Sequence, residues 1–457
     1  MRIPRLVIAG TSSGTGKTTI VAGLIAALRK RGLAVQSFKC GPDYIDPTYH
    51  TLAAGRPCRN LDSWMLSSQA VTELFLRACR KADIAVIEGV MGLYDGRSGK
   101  GQEGSTAEMA KFLDAPVVLV VDVGKMARSA GAMALGYRNF DDELDLVGVI
   151  LNSVGSPSHL ESVTKAIQEE AGLPVLGHLP KRADIRLPER HLGLVPTVEG
   201  EFTKAIGKIG DQVAETVDIE GLLRLARSAR PLKQPKTEGL FPVKKTPSRV
   251  KIAFARDEAF SFYYEDNLDL LSAWGAGLIP VSPMRDQALP ADIQGLYMGG
   301  GFPEIYASEL AANASFTESV RRAAQAGLPL FAECGGLMYL CEGIIDQQGG
   351  RHEMVGLLPG WSVMASQRVR LGYVEAEVVR DNILSERGQR LRGHEFHWSQ
   401  WEGPMERSVY FISEPTQRLE GYARKNVLAS YVHLHFGSEP SLAKNFIASC
   451  EAWQGVQ

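Results

Sequence analysis

The sequence predicts an α/β protein of two domains, each built around a mostly parallel sheet, and three observations support this prediction. At 457 residues the chain is longer than one hydrophobic core normally serves. Short apolar segments rich in β-branched residues alternate with amphipathic segments, which is the pattern of strands joined by crossover helices. The segment 231–248 is rich in Pro and Lys and has no periodicity. We therefore expect domains at 1–230 and 249–457, joined by a linker at 231–248.

The alternating pattern places the elements in order along both domains. In the first domain, strands are predicted at 6–9, 34–39, 84–88, 116–122, 146–152 and 174–179. Helices are predicted there at 18–30, 105–113 and 218–229. In the second domain, strands are predicted at 250–255, 295–298, 328–332 and 427–437. From about residue 352 onward the pattern changes to a meandering series of strands.

Composition excludes several classes of protein. The net charge of -2 gives no indication of a nucleic-acid-binding face. The longest apolar run, 115–121, is much shorter than the ~20 residues of a membrane span. The chain starts with a core strand almost at once, so we expect no signal peptide. Its six cysteines are scattered without paired spacing, which favours a reducing compartment. We expect a cytoplasmic monomer or homodimer with neither a membrane nor a nucleic-acid partner.

The first predicted strand leads into a phosphate-binding loop. The segment 11–18 nearly matches the pattern G-x-x-x-x-G-K-[ST], although its first glycine, Gly10, lies one residue early. Small residues let backbone N–H groups converge on a phosphate, and the following helix points its positive end at the same anion. Lys17 is expected to contact the β and γ phosphates of ATP, and the Thr18 hydroxyl to bind Mg²⁺. The residues predicted to bind ATP are Gly14, Thr15, Gly16, Lys17, Thr18, Thr19 and Lys39.

Acidic residues follow two of the predicted strands. Glu88 ends the strand 84–88, at the edge of an open parallel sheet where ligands gather. Mg²⁺ takes few carboxylates because phosphates and waters complete its coordination. We therefore predict that Thr18, Asp43 and Glu88 bind Mg²⁺; a solvated glutamate at the end of the strand is the alternative. Lys39, Asp43 and Asp46 follow the second strand, where they would contact nucleotide, metal or an acidic substrate, or would simply be solvated.

Cys334 stands at the end of the predicted strand 328–332 and is followed by two glycines. A turn between strand and helix presents a nucleophile in this way. The backbone N–H groups of Gly335 and of the glycine run containing Gly300 and Gly301 are predicted to form an oxyanion hole. The alternative interpretation is that Cys334 is a thiol packed in the hydrophobic core.

A base for this thiol is expected near the C-terminus. If 427–437 forms one strand, alternate side chains share a face, so His433 and His435 would point the same way. A Cys–His pair separated by about a hundred residues fits a nucleophile and base that the fold brings together. The histidine cluster at 393–398 lacks the H-E-x-x-H spacing of a zinc site, so it is expected to line a substrate or glutamine pocket.

Eight segments in order resemble the cobyrinate a,c-diamide synthase family of cobalamin biosynthesis, over essentially the whole chain. These segments are 11–18, 38–47, 87–96, 187–194, 257–264, 332–340, 392–397 and 430–436. The resemblance implies a dethiobiotin-synthetase-like ATP domain with a phosphate loop, followed by a class I glutamine amidotransferase-like domain. Single motifs are shared with dethiobiotin synthetase and cobyric acid synthase, but the full series is specific.

The resemblance also implies residue roles. Cys334 would attack the glutamine amide with His433 as base, releasing ammonia. With Mg²⁺, ATP would phosphorylate an acetate carboxylate of a corrin tetrapyrrole, at c and then at a, and ammonia would displace the phosphate. Asp46 and Asp95 match acidic positions of the family and are assigned to substrate handling and phosphorylation.

Two departures and three alternatives stay open. Typical class I enzymes carry a Glu two residues after the catalytic His, where this chain has His435, so the group that orients His433 is unknown. Ser12 stands where partition ATPases carry a signature lysine, which argues against a dimerising ATPase. Ni-sirohydrochlorin and hydrogenobyrinate are alternative substrates for the same double amidation. A regulatory phosphate-loop ATPase with a binding-only amidotransferase-like domain is the alternative from a different class.

Overall fold

The computed structural model describes residues 2–97, 101–182, 199–233, 239–244, 246–414 and 416–453. The chain forms two compact units, Met1–Glu238 and Gly239–Gln457. Their boundary falls inside the predicted linker, and the limits 1–230, 231–248 and 249–457 remain a proposal. Within that segment Leu240 accepts a hydrogen bond from Trp274 Nε1 at 3.0 Å, so this part of it packs in the second unit. No helix among the described residues combines the length and the apolar composition that crossing a membrane requires.

The first unit alternates strands and helices. Its strands are β1 (Arg5–Gly10), β2 (Val35–Cys40), β3 (Arg59–Leu61), β4 (Ile84–Glu88), β5 (Val117–Asp122), β6 (Leu146–Val154) and β7 (Val175–Pro180). Its helices are α1 (Lys17–Lys30), α2 (Asp46–Ala54), α3 (Ser68–Ala78), α4 (Thr106–Phe112), α5 (Ser129–Asn139), α6 (Pro157–Ala171), α7 (Glu199–Thr216) and α8 (Ile219–Ser228). The six strands and three helices predicted for this domain are confirmed within one or two residues at each end.

The strands of the first unit form one parallel sheet in the order β3-β2-β4-β1-β5-β6-β7. Every residue of β1 is buried, because helices cover both faces of the sheet, and this explains its uninterrupted apolar sequence. On one face Leu6 and Ile8 pack in a core with α1, α7 and α8. The carboxyl ends of β1, β2 and β4 lie side by side, so the loops that follow them meet at one edge.

The second unit contains more strands than helices. Its strands are β8 (Val250–Ala255), β9 (Phe260–Phe262), β10 (Ala276–Val281), β11 (Gly295–Met298), β12 (Gly300–Gly301), β13 (Leu330–Glu333), β14 (Cys341–Ile345), β15 (Arg351–Glu353), β16 (Leu358–Met364), β17 (Arg370–Val378), β18 (Arg390–His397), β19 (Ser399–Glu402), β20 (Tyr410–Ile412), β21 (Arg418–Glu420), β22 (Tyr422–Arg424), β23 (Val427–Ser430) and β24 (His433–Leu434). Its helices are α9 (Glu265–Ala273), α10 (Ala307–Ala312), α11 (Ala314–Gln325), α12 (Gly335–Leu340) and α13 (Ser441–Ala452).

The central sheet of this unit has the order β10-β8-β11-β13-β23-β22 and is parallel except for β22. Two further sheets, β15-β14-β16-β19 and β21-β20-β17-β18-β24, contain most of the predicted meander. Both units are therefore α/β, with a parallel sheet in the first and a mixed arrangement in the second, as the sequence predicts.

The prediction of one strand over 427–437 is wrong. β23 pairs with β13 in the central sheet, whereas β24 pairs with β18 in another sheet. Where the strand would have continued, side-chain oxygens rather than a neighbouring strand accept hydrogen bonds from the backbone N–H groups. Glu420 accepts from the Tyr431 N–H at 2.7 Å, and the Ser430 hydroxyl accepts from the Val432 N–H at 2.9 Å. His433 therefore lies in a short segment of its own rather than on the edge of a long strand.

Candidate active sites

The phosphate loop has the backbone conformation that the sequence predicts. Gly14 and Gly16 have φ of +78° and +90°, which favours glycine, and α1 starts directly after them. A methyl group on Gly16 would lie 2.3 Å from Asn152 Nδ2, which donates to the Thr15 carbonyl, so a side chain there would displace Asn152 from the loop. A methyl group on Gly10 would lie 2.4 Å from Thr15 Oγ1, so the early glycine makes room for the returning loop.

Lys17 and Thr18 open α1 beneath this loop. Lys17 is buried and donates to the carbonyls of Ser12 at 2.8 Å and Met91 at 2.6 Å. Burial, followed by the charge of Lys39, lowers the pKa of Lys17 to about 8. The Thr18 hydroxyl donates to Glu88 Oε1 at 2.8 Å. Lys17 and Thr18 therefore connect the phosphate loop to Glu88, at the end of β4, and to Met91 in the segment that follows β4.

Glu88 is the centre of a buried polar cluster. It is fully buried, and Lys39 Nζ donates to its Oε1 at 3.0 Å while His50 Nε2 contacts its Oε2. Burial opposes ionisation, but the charge of Lys39 and then that of His50 lower the pKa of Glu88 below its usual range. Sequence analysis did not find His50, because it lies in the middle of α2 and no local motif marks it. The solvated-glutamate alternative for Glu88 does not fit this burial.

Asp43, in the loop before α2, and Asp46, the first residue of α2, complete the cluster. Lys39 Nζ lies 2.6 Å from an Asp46 oxygen and 3.8 Å from an Asp43 oxygen. The other Asp43 oxygen accepts from the backbone N–H groups of Ile45 at 2.7 Å and Asp46 at 3.1 Å. Burial, followed by the charge of Asp46, raises the pKa of Asp43. The predicted lysine and two aspartates are thus brought together around one ammonium group.

These groups line a cavity of about 630 Å³ in the first unit. Of the predicted residues, its wall includes Gly14, Gly16, Lys17, Thr18, Thr19, Lys39, Asp43, Asp46 and Glu88. Thr15 and Asp95 do not line it: Thr15 bonds to the Ser12 carbonyl inside the loop, and Asp95 accepts from the Gly92 N–H at 3.0 Å. Asp122 and Asn152 do line it and were missed, although both stand at or near strand ends, where such side chains are expected.

The residues of this cavity fit Mg²⁺ in part. Within the described ranges, no group of three or more His, Cys, Asp or Glu side chains could hold a metal ion by itself. Yet Thr18 Oγ1 and Glu88 Oε1 lie 2.8 Å apart. Neighbouring oxygens around an octahedral Mg²⁺ lie about 3 Å apart, because each ligand distance is about 2.1 Å. The pair suits an ion whose other ligands are phosphates and waters.

In the second unit, Cys334 occupies the turn between β13 and α12. Its φ of +48° is unusual for a residue with a side chain, and its N–H donates to the Ser430 carbonyl at 2.7 Å. A methyl group on Gly336 would lie 2.3 Å from the Met298 carbonyl, so the start of α12 packs tightly on the end of β11. This strained strand-to-helix turn is the geometry of a nucleophile elbow.

The predicted oxyanion residues lie beside this turn, and the predicted base packs against one of them. A methyl group built on Gly335 would lie 3.0 Å from the Gly301 nitrogen, and one on Gly300 would lie 2.7 Å from His433 Cε1. Gly301 has φ of +156°, and a methyl group there would lie 2.0 Å from the Ala259 carbonyl. The fold therefore brings both glycine segments next to Cys334 and packs the His433 ring against one of them.

Burial shifts the pKa values of the predicted nucleophile and of the predicted base toward their neutral forms. It raises the pKa of Cys334 far above its usual range, and the nearby Glu304 carboxylate raises it further. Burial, followed by the charges of His394 and His397, lowers the pKa of His433 well below its usual range. Burial also raises the pKa of Glu304 to about 7. Burial therefore favours the uncharged form of both the thiol and the imidazole.

A small cavity adjoins Cys334 and includes part of the histidine cluster. Its volume is about 20 Å³, which accommodates about one water molecule, and its wall includes Glu304, Phe396, His397 and Trp398. The His397 Nδ1–H donates to the Ser399 carbonyl at 2.7 Å, which leaves Nε2 as an acceptor. Among the described residues, this buried Nε2 has no hydrogen-bond partner. The predicted pocket-lining role of the cluster is consistent with this placement.

Comparison with known proteins covers both units. The family model described as "CobQ/CobB/MinD/ParA nucleotide binding domain" matches residues 6–195, and the one described as "CobB/CobQ-like glutamine amidotransferase domain" matches 251–441. The segment 187–194, one of the eight that resemble the family, lies outside the described residues.

Curated relatives named cobyrinate a,c-diamide synthase match the chain almost from end to end. The protein from Dehalococcoides mccartyi strain CBDB1 is 52% identical over 454 residues, covering 98% of each chain. The protein from Priestia megaterium is 46% identical over 453 residues, covering 98% of this chain and 97% of its own. The chain therefore belongs to the cobyrinate a,c-diamide synthase family of glutamine-dependent amidating ligases.

Proposed function

We propose that the protein amidates the c and then the a acetate carboxylate of cobyrinate, using ATP for activation and glutamine as the nitrogen source. The observation that carries the proposal is the strained turn at Cys334, beside which two glycine segments lie, one of them packed against the His433 ring. A chain with a phosphate loop and such a turn has the parts for two linked reactions. Cobyrinate as the substrate comes from the names of the relatives.

The second unit is proposed to release ammonia. Cys334 Sγ attacks the side-chain amide carbon of glutamine, and its proton passes to His433. The N–H of Gly335, with those of Gly300 and Gly301, stabilises the oxyanion. His433 then gives the proton to the leaving nitrogen, so ammonia departs and a glutamyl thioester remains. Water hydrolyses the thioester to glutamate and restores the thiol.

The first unit is proposed to activate the acceptor. A carboxylate oxygen of the tetrapyrrole attacks the γ-phosphorus of ATP, giving ADP and an acyl phosphate. Ammonia attacks the acyl carbon and phosphate leaves, which produces the amide. Lys17 and Lys39 would stabilise the charge of the transferring phosphoryl group, and Asp46 would orient substrate through Lys39. One ATP and one glutamine are consumed for each amide.

Mg²⁺ is proposed to bind at Thr18 and Glu88, with Asp43 nearby. When bound there it would neutralise charge on the ATP phosphates. His50 contacts Glu88 Oε2, and Oε1 faces Thr18 and Lys39. Asp95 lies outside the cavity wall, and its role in phosphorylation remains part of the proposal.

Mass spectrometry after incubation with ATP, glutamine and each of cobyrinate, Ni-sirohydrochlorin and hydrogenobyrinate tests the proposal. We expect two amides on cobyrinate, with the monoamide at c appearing first. Amidation of another tetrapyrrole instead would assign that substrate, and amidation of none would overturn the proposal. If the second unit only binds, wild-type protein and Cys334→Ala will release glutamate from glutamine at equal rates.

A further inference from the structure

His433 lies in a segment that has little strand pairing of its own. β24 contains two residues, His433 and Leu434, and it pairs with β18 only through Gly393 and His394. A two-residue strand contributes few ladder hydrogen bonds, yet a general base must be held in place to a fraction of an ångström. Other groups must therefore fix this segment.

Glu333 is the first of these groups. It is the last residue of β13, directly precedes Cys334 and is 2% exposed. Its Oε1 accepts from the Leu434 N–H at 2.8 Å, and its Oε2 accepts from the Tyr297 hydroxyl at 2.5 Å. The side chain next to the nucleophile therefore binds the backbone next to the base.

Asn267 of α9 is the second group, and it is fully buried. Its Nδ2 donates to the Leu434 carbonyl at 2.7 Å, and its Oδ1 accepts from the Phe436 N–H at 2.7 Å. One side-chain amide thus replaces the two hydrogen bonds that a neighbouring strand would supply. Together with Glu333 it satisfies both backbone groups of Leu434.

His435 does not take the part of the acid that class I enzymes carry at this position. Its Nδ1 accepts from the Gly437 N–H at 3.0 Å, and its ring packs on Tyr264 with centroids 4.8 Å apart. Asp266 Oδ2 lies 4.0 Å from His435 Nε2, so these contacts fix His435 against its own segment and against the start of α9. The hydrogen bonds of Glu333 and Asn267 act on the backbone of the residue that follows the predicted base.

We propose that Glu333 and Asn267 are positioning residues that hold His433 against Cys334 by binding the backbone of Leu434. This inference rests on the proposed roles of Cys334 and His433 in glutamine hydrolysis. Glu333 couples the two sides most directly, because it precedes the nucleophile in sequence and accepts a hydrogen bond from Leu434, the residue after the base. A displacement of about 1 Å at such a site costs on the order of 10²-fold in rate.

Steady-state glutamine hydrolysis by Glu333→Ala tests the inference. We expect kcat to fall by on the order of 10²-fold while KM for glutamine stays unchanged, because Glu333 does not line the cavity next to Cys334. Glu333→Gln keeps an oxygen for Leu434 and should return kcat to within a few-fold of wild type. If Glu333→Ala does not fold, Glu333→Leu takes its place.

Tyr297→Phe is the matched control. It removes the hydroxyl that contacts Glu333 and the Asn267 side chain, but it leaves the hydrogen bonds from both of these residues to Leu434, so its kcat should stay near the wild-type value. The inference is overturned if Glu333→Ala keeps wild-type kcat, if only KM changes, or if Tyr297→Phe loses as much kcat as Glu333→Ala. Cys334→Ala distinguishes failure of this inference from failure of the proposed function, because glutamine hydrolysis by that variant would refute the proposed function itself.

Discussion

Cys334 has a backbone conformation that suits glycine, and replacing it should show how much strain the turn holds. Its φ is +48° and its ψ is −103°, in a sparsely populated region. Alanine at this position keeps the strain, whereas glycine relieves it. Cys341 is the matched site, because it is also buried and has an ordinary backbone with φ of −62° and ψ of 172°.

The magnitude follows from the difference between the two sites. At either site glycine loses stability relative to alanine through chain entropy, about 0.5–1 kcal/mol, and through one lost methyl group, about 0.8 kcal/mol. For each site we take the free energy of unfolding of the Gly variant minus that of the Ala variant. These costs cancel when the value for Cys341 is subtracted from the value for Cys334. The remainder is the strain, of order 1–3 kcal/mol, with glycine favoured at Cys334.

Denaturant unfolding of the four variants, followed by tryptophan fluorescence, measures this double difference. The signal reports chiefly on the second unit, which contains Trp274, Trp361, Trp398, Trp401 and Trp453 out of six tryptophans. We expect the free energy of unfolding of the Gly variant, minus that of the Ala variant, to be larger at Cys334 than at Cys341. A double difference near zero would refute strain at the nucleophile.

Three more predictions concern the two sites. Lys17→Ala should abolish ATP-dependent amidation even with ammonia supplied, while glutamate release continues; ammonia-driven amidation by the variant would contradict the role of the loop. Glu304→Gln should move the rising limb of kcat/KM for glutamine hydrolysis to lower pH, because above about pH 7 the ionised Glu304 opposes thiolate formation. Below that pH the variant should have the wild-type kcat/KM. The control variant Glu309→Gln, at an exposed position, should have the wild-type profile at every pH. Gly16→Ala should bind ATP more weakly in calorimetry, because the added methyl group would lie 2.3 Å from Asn152 Nδ2. The control Gly136→Ala in α5, where the methyl group would have nothing within 4 Å, should bind ATP normally and stabilise the helix by about 0.5–1 kcal/mol. Equal ATP affinities of the two variants would contradict the loop geometry.

Local patterns predicted the parts of the fold that local physics decides. β8 and β11 have the bounds read from the sequence, since both are short apolar runs next to turn residues. The phosphate loop and the turn at Cys334 were predicted because glycines and their neighbours have fixed places in such turns. These motifs carry their own geometry.

Tertiary contacts decided the rest. The strand predicted over 427–437 is interrupted because Glu420 and Ser430 take its amides, and sequence periodicity contains no sign of those bonds. His50 reaches Glu88 across 38 positions of sequence, so no spacing rule marks it. The same holds for Asn267, which lies 167 positions from Leu434. Such partners become visible only when the chain is folded.

The central claim is that Cys334 supplies nitrogen to a reaction that the ATP-binding unit carries out. Amide formation by Cys334→Ala, measured with glutamine and then with ammonium chloride as the nitrogen source, tests it most directly. We predict no amide from glutamine and a wild-type rate from ammonia at saturating ATP. Amide formed from glutamine by the variant, or none formed from ammonia, would contradict the claim.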